Sequence, residues 1–415
     1  LPMHDDNTMF FLSSHRPDGT LDWATTVEGS VLGEEVALDP DGNALVTGSR
    51  WYWGPGPMDF RYAVFLAKFG RLGEEIYLKD IVPERSDGEG RTITTAQDGS
   101  YLVSGVYSGI IVFGRGEPGE TRLLPGSIYL KNIFIARYNS DDSLLWAKGT
   151  GHGTEGDSTS YHDSLFLDDG TSLFVGGYGG TTIFDEGTPQ ETTLVSAGSF
   201  DITLAQYAPD GTLLWARSAG GADRDTVEGV TALPDGAAVM VGRFEGEALF
   251  GQGEAAETNL ISAGEEDIFL ARYQSDGSLV WARRAGGEQI DIAYGIDSLA
   301  DGSMVITGNF QGEATFGEGE VGETTLVSEG ESDVFLACYS GEGELLWVVR
   351  AGGPGVDYGK AVAANEDGVV AIAGFFIGVD YEPGAVATFG AGEARETKLT
   401  TLGESDMFVA QYRWR

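Results

Sequence analysis

One strand, Phe-Leu-Ala-x-Tyr, returns six times in near-identical form, closing at Phe69, Tyr138, Tyr207, Tyr273, Tyr339 and Tyr412. The copies stand about 66 to 73 residues apart. A period of this length, strand-like throughout, marks one supersecondary unit used repeatedly. The repeat runs from about residue 10 to the end with no linker, so residues 1–415 are expected to form a single domain, with 1–15 adding an extra N-terminal strand.

The unit is clearest from Asp267 to Tyr339. In Asp267-Ile-Phe-Leu-Ala-Arg-Tyr273, the residues Phe269, Ala271 and Tyr273 alternate with Leu270 and Arg272, the period of a strand. A turn at Ser275-Asp-Gly277 leads to Ser278-Leu-Val-Trp-Ala-Arg283, which ends at Gly286-Gly287. A loop carrying Asp291 precedes Tyr294-Gly-Ile-Asp-Ser-Leu299, and after Asp301-Gly302 comes Met304-Val-Ile-Thr-Gly-Asn-Phe310. An extra hairpin follows around Phe316 and recurs around Phe113, Phe184, Phe250 and Phe389; the first unit lacks it. No helical period appears, so the chain reads as all-β.

Four antiparallel strands per unit, with two tight turns and two longer loops, describe a blade of a β-propeller. Radial closure would protect the edges of so many strands. Strands of the inner type begin near Glu35, Arg91, Tyr161, Glu228, Tyr294 and Gly359; outer strands lie at Trp23, Ile76, Trp146, Trp215, Trp281 and Trp347. The balance is six four-stranded blades, the strand around Trp23 completing the last blade and closing the ring by pairing the two chain ends. Phe10 to His15 is then a spare strand, open to assembly by strand addition. An incomplete seventh blade is the competing count.

The run Asp-Ile-Phe-Leu-Ala-Arg-Tyr, Asp-Gly-Ser-Leu-Val-Trp-Ala, Ala-Gly-Gly, then Asp-Gly-Ser before Val-Ile-Thr-Gly resembles the bacterial seven-bladed β-propeller repeat family. The likeness covers nearly the whole chain, with the first two units degraded. It implies a secreted or surface protein, mostly of a kind without an assigned activity.

Sixty-five acidic against 25 basic residues give a formal charge of −40. That excludes nucleic acid and anionic membrane surfaces as natural partners and favours basic surfaces, divalent cations, a protein partner or self-association. No apolar run is long enough for membrane insertion. The first residue is Leu1 rather than Met, which suits processing of an exported precursor. Cys338 has no second cysteine to pair with, and no His lies near it in sequence.

Among candidate sites the acidic series comes first. Asp225, Asp291 and Asp357 stand ten residues past an outer Trp, and Asp157 and Asp87 one position further on. Gathered on one face they would make an oxygen-rich site for Ca2+; alternatively each Asp sets its own turn through backbone N–H groups. A second series, Glu117/Glu120, Glu254/Glu257, Glu320/Glu323 and Glu393/Glu396, reads as solvated hairpin tips. His152 and His162 flank Asp157 and Asp163 without a familiar ligand spacing. The outer Trp residues read as blade-to-blade packing. Trp51 and Trp53 break the repeat and form either an exposed patch or a substitute for the missing hairpin. The expectation is therefore a non-enzymatic, extracellular or cell-surface scaffold or interaction module, self-assembling and calcium-stabilised. A carbohydrate-active enzyme working from the channel mouth is the alternative.

Overall fold

Alternation of apolar residues along each Phe-Leu-Ala strand gives it two apolar faces, and in Asp333–Tyr339 both are covered along the full length. The computed structural model describes residues 10–413 except 17–18, 54–59, 85–86, 126–130, 153–157, 366 and 380–383. Its secondary structure is all β, and it belongs to the β-propeller class.

Five sets of four antiparallel strands recur in the same order, first strand outward to fourth. The clearest is Ile292–Ser298, Met304–Phe310, Asp333–Tyr339 and Leu345–Ala351. All five extra hairpins form, for example Glu313–Phe316 with Thr324–Val327. Where the hairpin is continuous with the blade, one strand runs from Thr258 to Tyr273. The chain divides into two compact units, Leu1–Val195 with Leu204–Ala216, and Ser196–Thr203 with Arg217–Arg415. The division falls within the strands Asp201–Tyr207 and Leu213–Gly221.

Among the described residues the expected pairing of the chain ends is not found. The strand around Trp23, Leu21–Val27, pairs instead with Phe10–His15, and Ser405–Arg413 ends a three-stranded sheet with Val369–Ile377 and Val356–Ala364. The spare strand is thus used locally. A hairpin between sequence neighbours closes a short loop, and it seats the Phe10 ring edge-on to Phe65, with centroids 6.0 Å apart, against the open face of Gly33. Five full blades, a two-stranded hairpin and a three-stranded sheet are the observed elements among the described residues.

Within the second unit, Leu233, Val239, Val241, Ile268 and Leu270 of one blade meet Ile306, Phe310, Phe316, Phe335 and Tyr339 of the next. Burying each such side chain contributes about 1.5–3 kcal/mol. The outer Trp residues serve this packing. Trp281 is 6% exposed, donates Nε1–H to the carbonyl of Gly341, and covers Gly343 in the turn of the following blade. Trp146 does the same over Gly211, with Nε1–H to the Pro209 carbonyl. In the second repeat the residue in this register is Tyr77, which lies opposite Lys68 as Trp347 lies opposite Cys338. Ile76, expected there from spacing, is displaced by one residue and is exposed.

The Ala-Gly-Gly signature has a geometric cause. Gly287 pairs with Ala314 of the following blade's hairpin, and a Cβ on it would lie 1.8 Å from the Glu313 carbonyl oxygen. Gly221 and Gly353 are crowded in the same way. Only a residue without a side chain passes this crossing.

Candidate functional site

Every described first strand of a blade carries a β-bulge at one equivalent place, and bulges re-aim a side chain where function needs it. The bulged positions are Glu34, Arg91, His162, Glu228, Tyr294 and Lys360. All six side chains bear chemistry, and apart from the two glutamates they differ in kind from blade to blade. Spacing alone did not single them out, because an extra residue in a strand leaves no mark in an alternating pattern.

In the first unit, Arg91 pairs with Glu34 at 3.3 Å and with Glu89, which also takes the Lys131 ammonium at 2.7 Å. Burial raises the Glu34 carboxyl and the Arg91 charge opposes it. Burial and then the nearby Asp163 raise Glu35 well above the ordinary range, while its side chain accepts the Ile93 N–H at 2.9 Å.

In the second unit the cluster is aromatic and mixed in charge. The Lys360 ammonium lies 3.3 Å from the Tyr294 ring centroid, 4.9 Å from Tyr358 and 5.8 Å from Phe375. Tyr294 meets Tyr358 edge-on at 6.4 Å, and Tyr358 lies 4.9 Å from Phe375. Arg243 bonds Glu266 at 3.1 Å and stands 3.9 Å from Glu228. Burial lowers Lys360 to about 8 against the opposing charge of Glu228, and burial with Glu228 raises Tyr294 to about 12. The ring faces hold the Lys360 ammonium by cation–π attraction.

The aspartates take a different arrangement from the one expected. Asp157 lies outside the described residues. Asp87 accepts the Tyr62 N–H at 2.9 Å. Asp225, Asp291 and Asp357 each accept the N–H of the glycine four residues before them, Gly221, Gly287 and Gly353, at 2.7, 2.7 and 2.8 Å. They set their own turns, and among the described residues no three His, Cys, Asp or Glu side chains form a group that could hold a metal ion. Each does have one acidic companion that spacing did not reveal: Asp201, Asp267 and Asp333, which open the Phe-Leu-Ala strands. Burial raises Asp225, Asp291 and Asp357 to about 7, and the companion carboxylate adds to it. The available sign was the recurrence of Asp at that strand opening in four repeats, including Asp406.

The Glu pairs are only half solvated. Glu120, Glu257, Glu323 and Glu396 close the hairpin turn on a glycine N–H. Glu117, Glu254 and Glu320 instead accept the N–H of Leu144, Leu279 and Leu345, tying the hairpin to the fourth strand. A long hairpin, Ala44–Trp53 with Phe60–Phe69, stands where the first repeat lacks its extra one, and Trp53 is 57% exposed upon it. The side chains of His152 and His162 lie outside the described residues. The Cys338 thiol is 1% exposed, and burial pushes it up to about 11, so it is shielded from thiolate chemistry. Among the described residues no helix is long and apolar enough to cross a membrane.

No protein-family model matches the chain. Two curated proteins are similar to it. An uncharacterized WD repeat-containing protein of Acanthamoeba polyphaga mimivirus is 24% identical over 69% of this chain. The regulatory protein FlaEY of Caulobacter vibrioides is 27% identical over 47%. The chain is a repeat protein of the β-propeller class. It spans about a quarter of the length of these curated relatives, 24% and 21%. Similar solved structures include a gluconolactonase from Xanthomonas campestris, with TM-score 0.35, 12% identity, and coverage of 83% of this chain and 84% of that one. YCF48 bound to a peptide has TM-score 0.39, 8% identity, and coverage of 100% and 97%.

Proposed function

We propose that this propeller chain is a non-enzymatic scaffold, exported to the cell surface or beyond, that binds protein and assembles with further copies of itself, with calcium as a stabilising ion. The observation that carries the reading is the last sheet of the second unit. Val334 and Leu336, on the strand Asp333–Tyr339, are each 1% exposed because the following blade covers them. The residues in the same register on Ser405–Arg413, Met407 and Val409, are 69% and 76% exposed. Among the described residues the same strand has no fourth strand of the kind its counterparts pair with, which leaves that edge for strand addition.

The occupant argued for is a second copy. In the repeat, the residue that a following blade presents to such a face is Phe335; its register equivalent in the N-terminal hairpin, Phe11, is 60% exposed. A head-to-tail contact of this kind continues the packing already made inside the unit. The charge of −40 opposes association at low salt, so assembly should strengthen with ionic strength and divalent cation. Light scattering on the purified chain is expected to find species larger than one copy, and Met407→Lys with Val409→Lys is expected to return them to monomer. A wild-type chain that stays monomeric at tens of micromolar (on the order of transient-interface affinities) in salt and calcium removes the assembly reading.

A carbohydrate-active enzyme is the competing reading. The Tyr294, Tyr358 and Phe375 rings beside Glu228 are the observation in its favour. Hydrolysis of a glycan panel that disappears in Glu228→Gln would replace the scaffold reading.

A further inference from the structure

Three copies of one carboxylate pair occur in the second unit, and the differences among them point to a ligand. In each, the Asp opening a Phe-Leu-Ala strand meets the Asp near the start of the next first strand across a glycine with φ of +142° to +147°. A Cβ built on Gly220 would lie 2.8 Å from Asp225 Oδ2 and 2.9 Å from Asp201 Cγ. On Gly286 it would lie 2.9 Å from Asp267 Oδ1 and 2.9 Å from Asp291 Oδ2; on Gly352 it would lie 2.8 Å from both Asp333 Oδ1 and Asp357 Oδ2.

Two of the pairs carry their own positive charge. Arg284 Nη1 donates to Asp267 Oδ2 at 2.6 Å, and Arg350 Nη1 donates to Asp333 Oδ2 at 2.6 Å. Both arginines stand three residues after an outer Trp. At the same place after Trp215 the chain has Ser218, which supplies no guanidinium to the pair Asp201–Asp225. Asp201 Oδ1 is buried without a hydrogen bond, as are Asp267 Oδ1 and Asp333 Oδ1 in the sister pairs, and here Asp225 Oδ1 is buried without one as well; Asp201 and Asp225 are only 2% and 0% exposed. In the pair Asp267–Asp291, by contrast, Asp291 Oδ1 accepts the Gln311 N–H at 3.2 Å.

Two buried carboxylates demand a compensating charge or a proton. We propose that Asp201 and Asp225 bind a hard divalent cation of the Ca2+ class, which takes the role that Arg284 and Arg350 play in the sister pairs. Carboxylate oxygens are the donors such an ion prefers, with backbone carbonyls and water completing its shell. With only two carboxylates, the affinity belongs to the weak class of extracellular modules, Kd about 10⁻⁴–10⁻³ M. The site rests on the calcium part of the scaffold reading and not on assembly.

The internal arginines supply the test. Thermal melts and calorimetric titrations of the full chain at pH 7.5 would compare CaCl2 with NaCl at matched ionic strength, alongside Ser218→Arg, Asp225→Asn and Asp406→Asn. The wild type is expected to bind Ca2+ and melt higher in it. Ser218→Arg should lose that response, with affinity at least about tenfold weaker, and should melt higher than wild type in chelator. Asp225→Asn should also lose the response, and it serves if Ser218→Arg does not fold. Asp406→Asn should keep it. A wild type that melts alike in CaCl2 and NaCl, or a folded Ser218→Arg that keeps full Ca2+ affinity, overturns the site in favour of a shared proton. Light scattering on the same samples separates the outcomes, since Ca2+ binding by a strict monomer sinks assembly and leaves this site standing.

Discussion

Replacing Gly308 by alanine should cost the chain about 4 kcal/mol or more, enough to unfold the blade that holds it. The obstructing carbonyl belongs to Ile292, two residues before the bulged Tyr294, and a Cβ on Gly308 would lie 1.8 Å from its oxygen. That oxygen belongs to backbone paired across the same ladder, so it cannot retreat without breaking the ladder. The Phe335 ring, 2.8 Å away on the other side, blocks the opposite adjustment. Gly48, Gly105, Gly242 and Gly374 meet the same obstacle, with carbonyl oxygens at 1.9, 2.0, 2.0 and 1.9 Å. Gly302→Ala is the control. Its φ is +83° but nothing lies within 4 Å, so its cost should be about 1 kcal/mol. Urea denaturation of the two variants measures the difference, and equal midpoints would show that the bulge does not set the glycine.

Asp225→Asn should stabilise the protein in chelator at pH 8 and do nearly nothing at pH 4. Burial, with Asp201 beside it, raises the Asp225 carboxyl to about 7, above its ordinary value near 3.9. The folded state therefore holds the proton more tightly than the unfolded chain. The stability linked to that proton is fully present below about pH 4 and is lost as pH rises through about 7. Asparagine carries no charge to bury, and its oxygen can still accept the Gly221 N–H. Wild type and variant should run together at the acid end and separate by about 2–4 kcal/mol at pH 8. Denaturation midpoints taken across that interval provide the check. A wild type that holds its ground against the variant at pH 8 would mean the carboxylate is compensated by something other than a proton or an added cation.

Local features were the legible ones. The Ser275-Asp-Gly277 turn is built as its residues suggest, with Asp276 Oδ1 accepting the Ser278 N–H at 2.9 Å and Gly277 at φ +81°. All the steps of that turn lie within five residues. The carboxylate pairs were half legible. Asp225 and its equivalents repeat visibly, but the partner Asp201 is 24 residues away, and only the arrival of the next blade brings the two together. The Glu pairs were half legible for a related reason: Glu257 and its equivalents are exposed hairpin-tip residues as expected, whereas the acceptor role of Glu254 toward Leu279 exists only once the hairpin folds back on the fourth strand. The exchange of Ile76 for Tyr77 is a matter of register, settled by which residue stands opposite Lys68.

By itself, then, the amino-acid order determined the all-β class, the repeated four-stranded unit, the turns and the packing role of Trp146 and Trp281. Alternation and turn chemistry act between near neighbours, so a one-dimensional pattern can carry them. Only the tertiary structure decided the bulged positions Glu228, Tyr294 and Lys360, the companion aspartates, and the pairing of Leu21–Val27 with Phe10–His15 instead of with the far end. A bulge is a local excess of one residue against a partner strand, and a carboxylate pair is a meeting of distant segments. Neither has a signature until strands are laid side by side and the cost of closing a short loop is weighed against that of a long one.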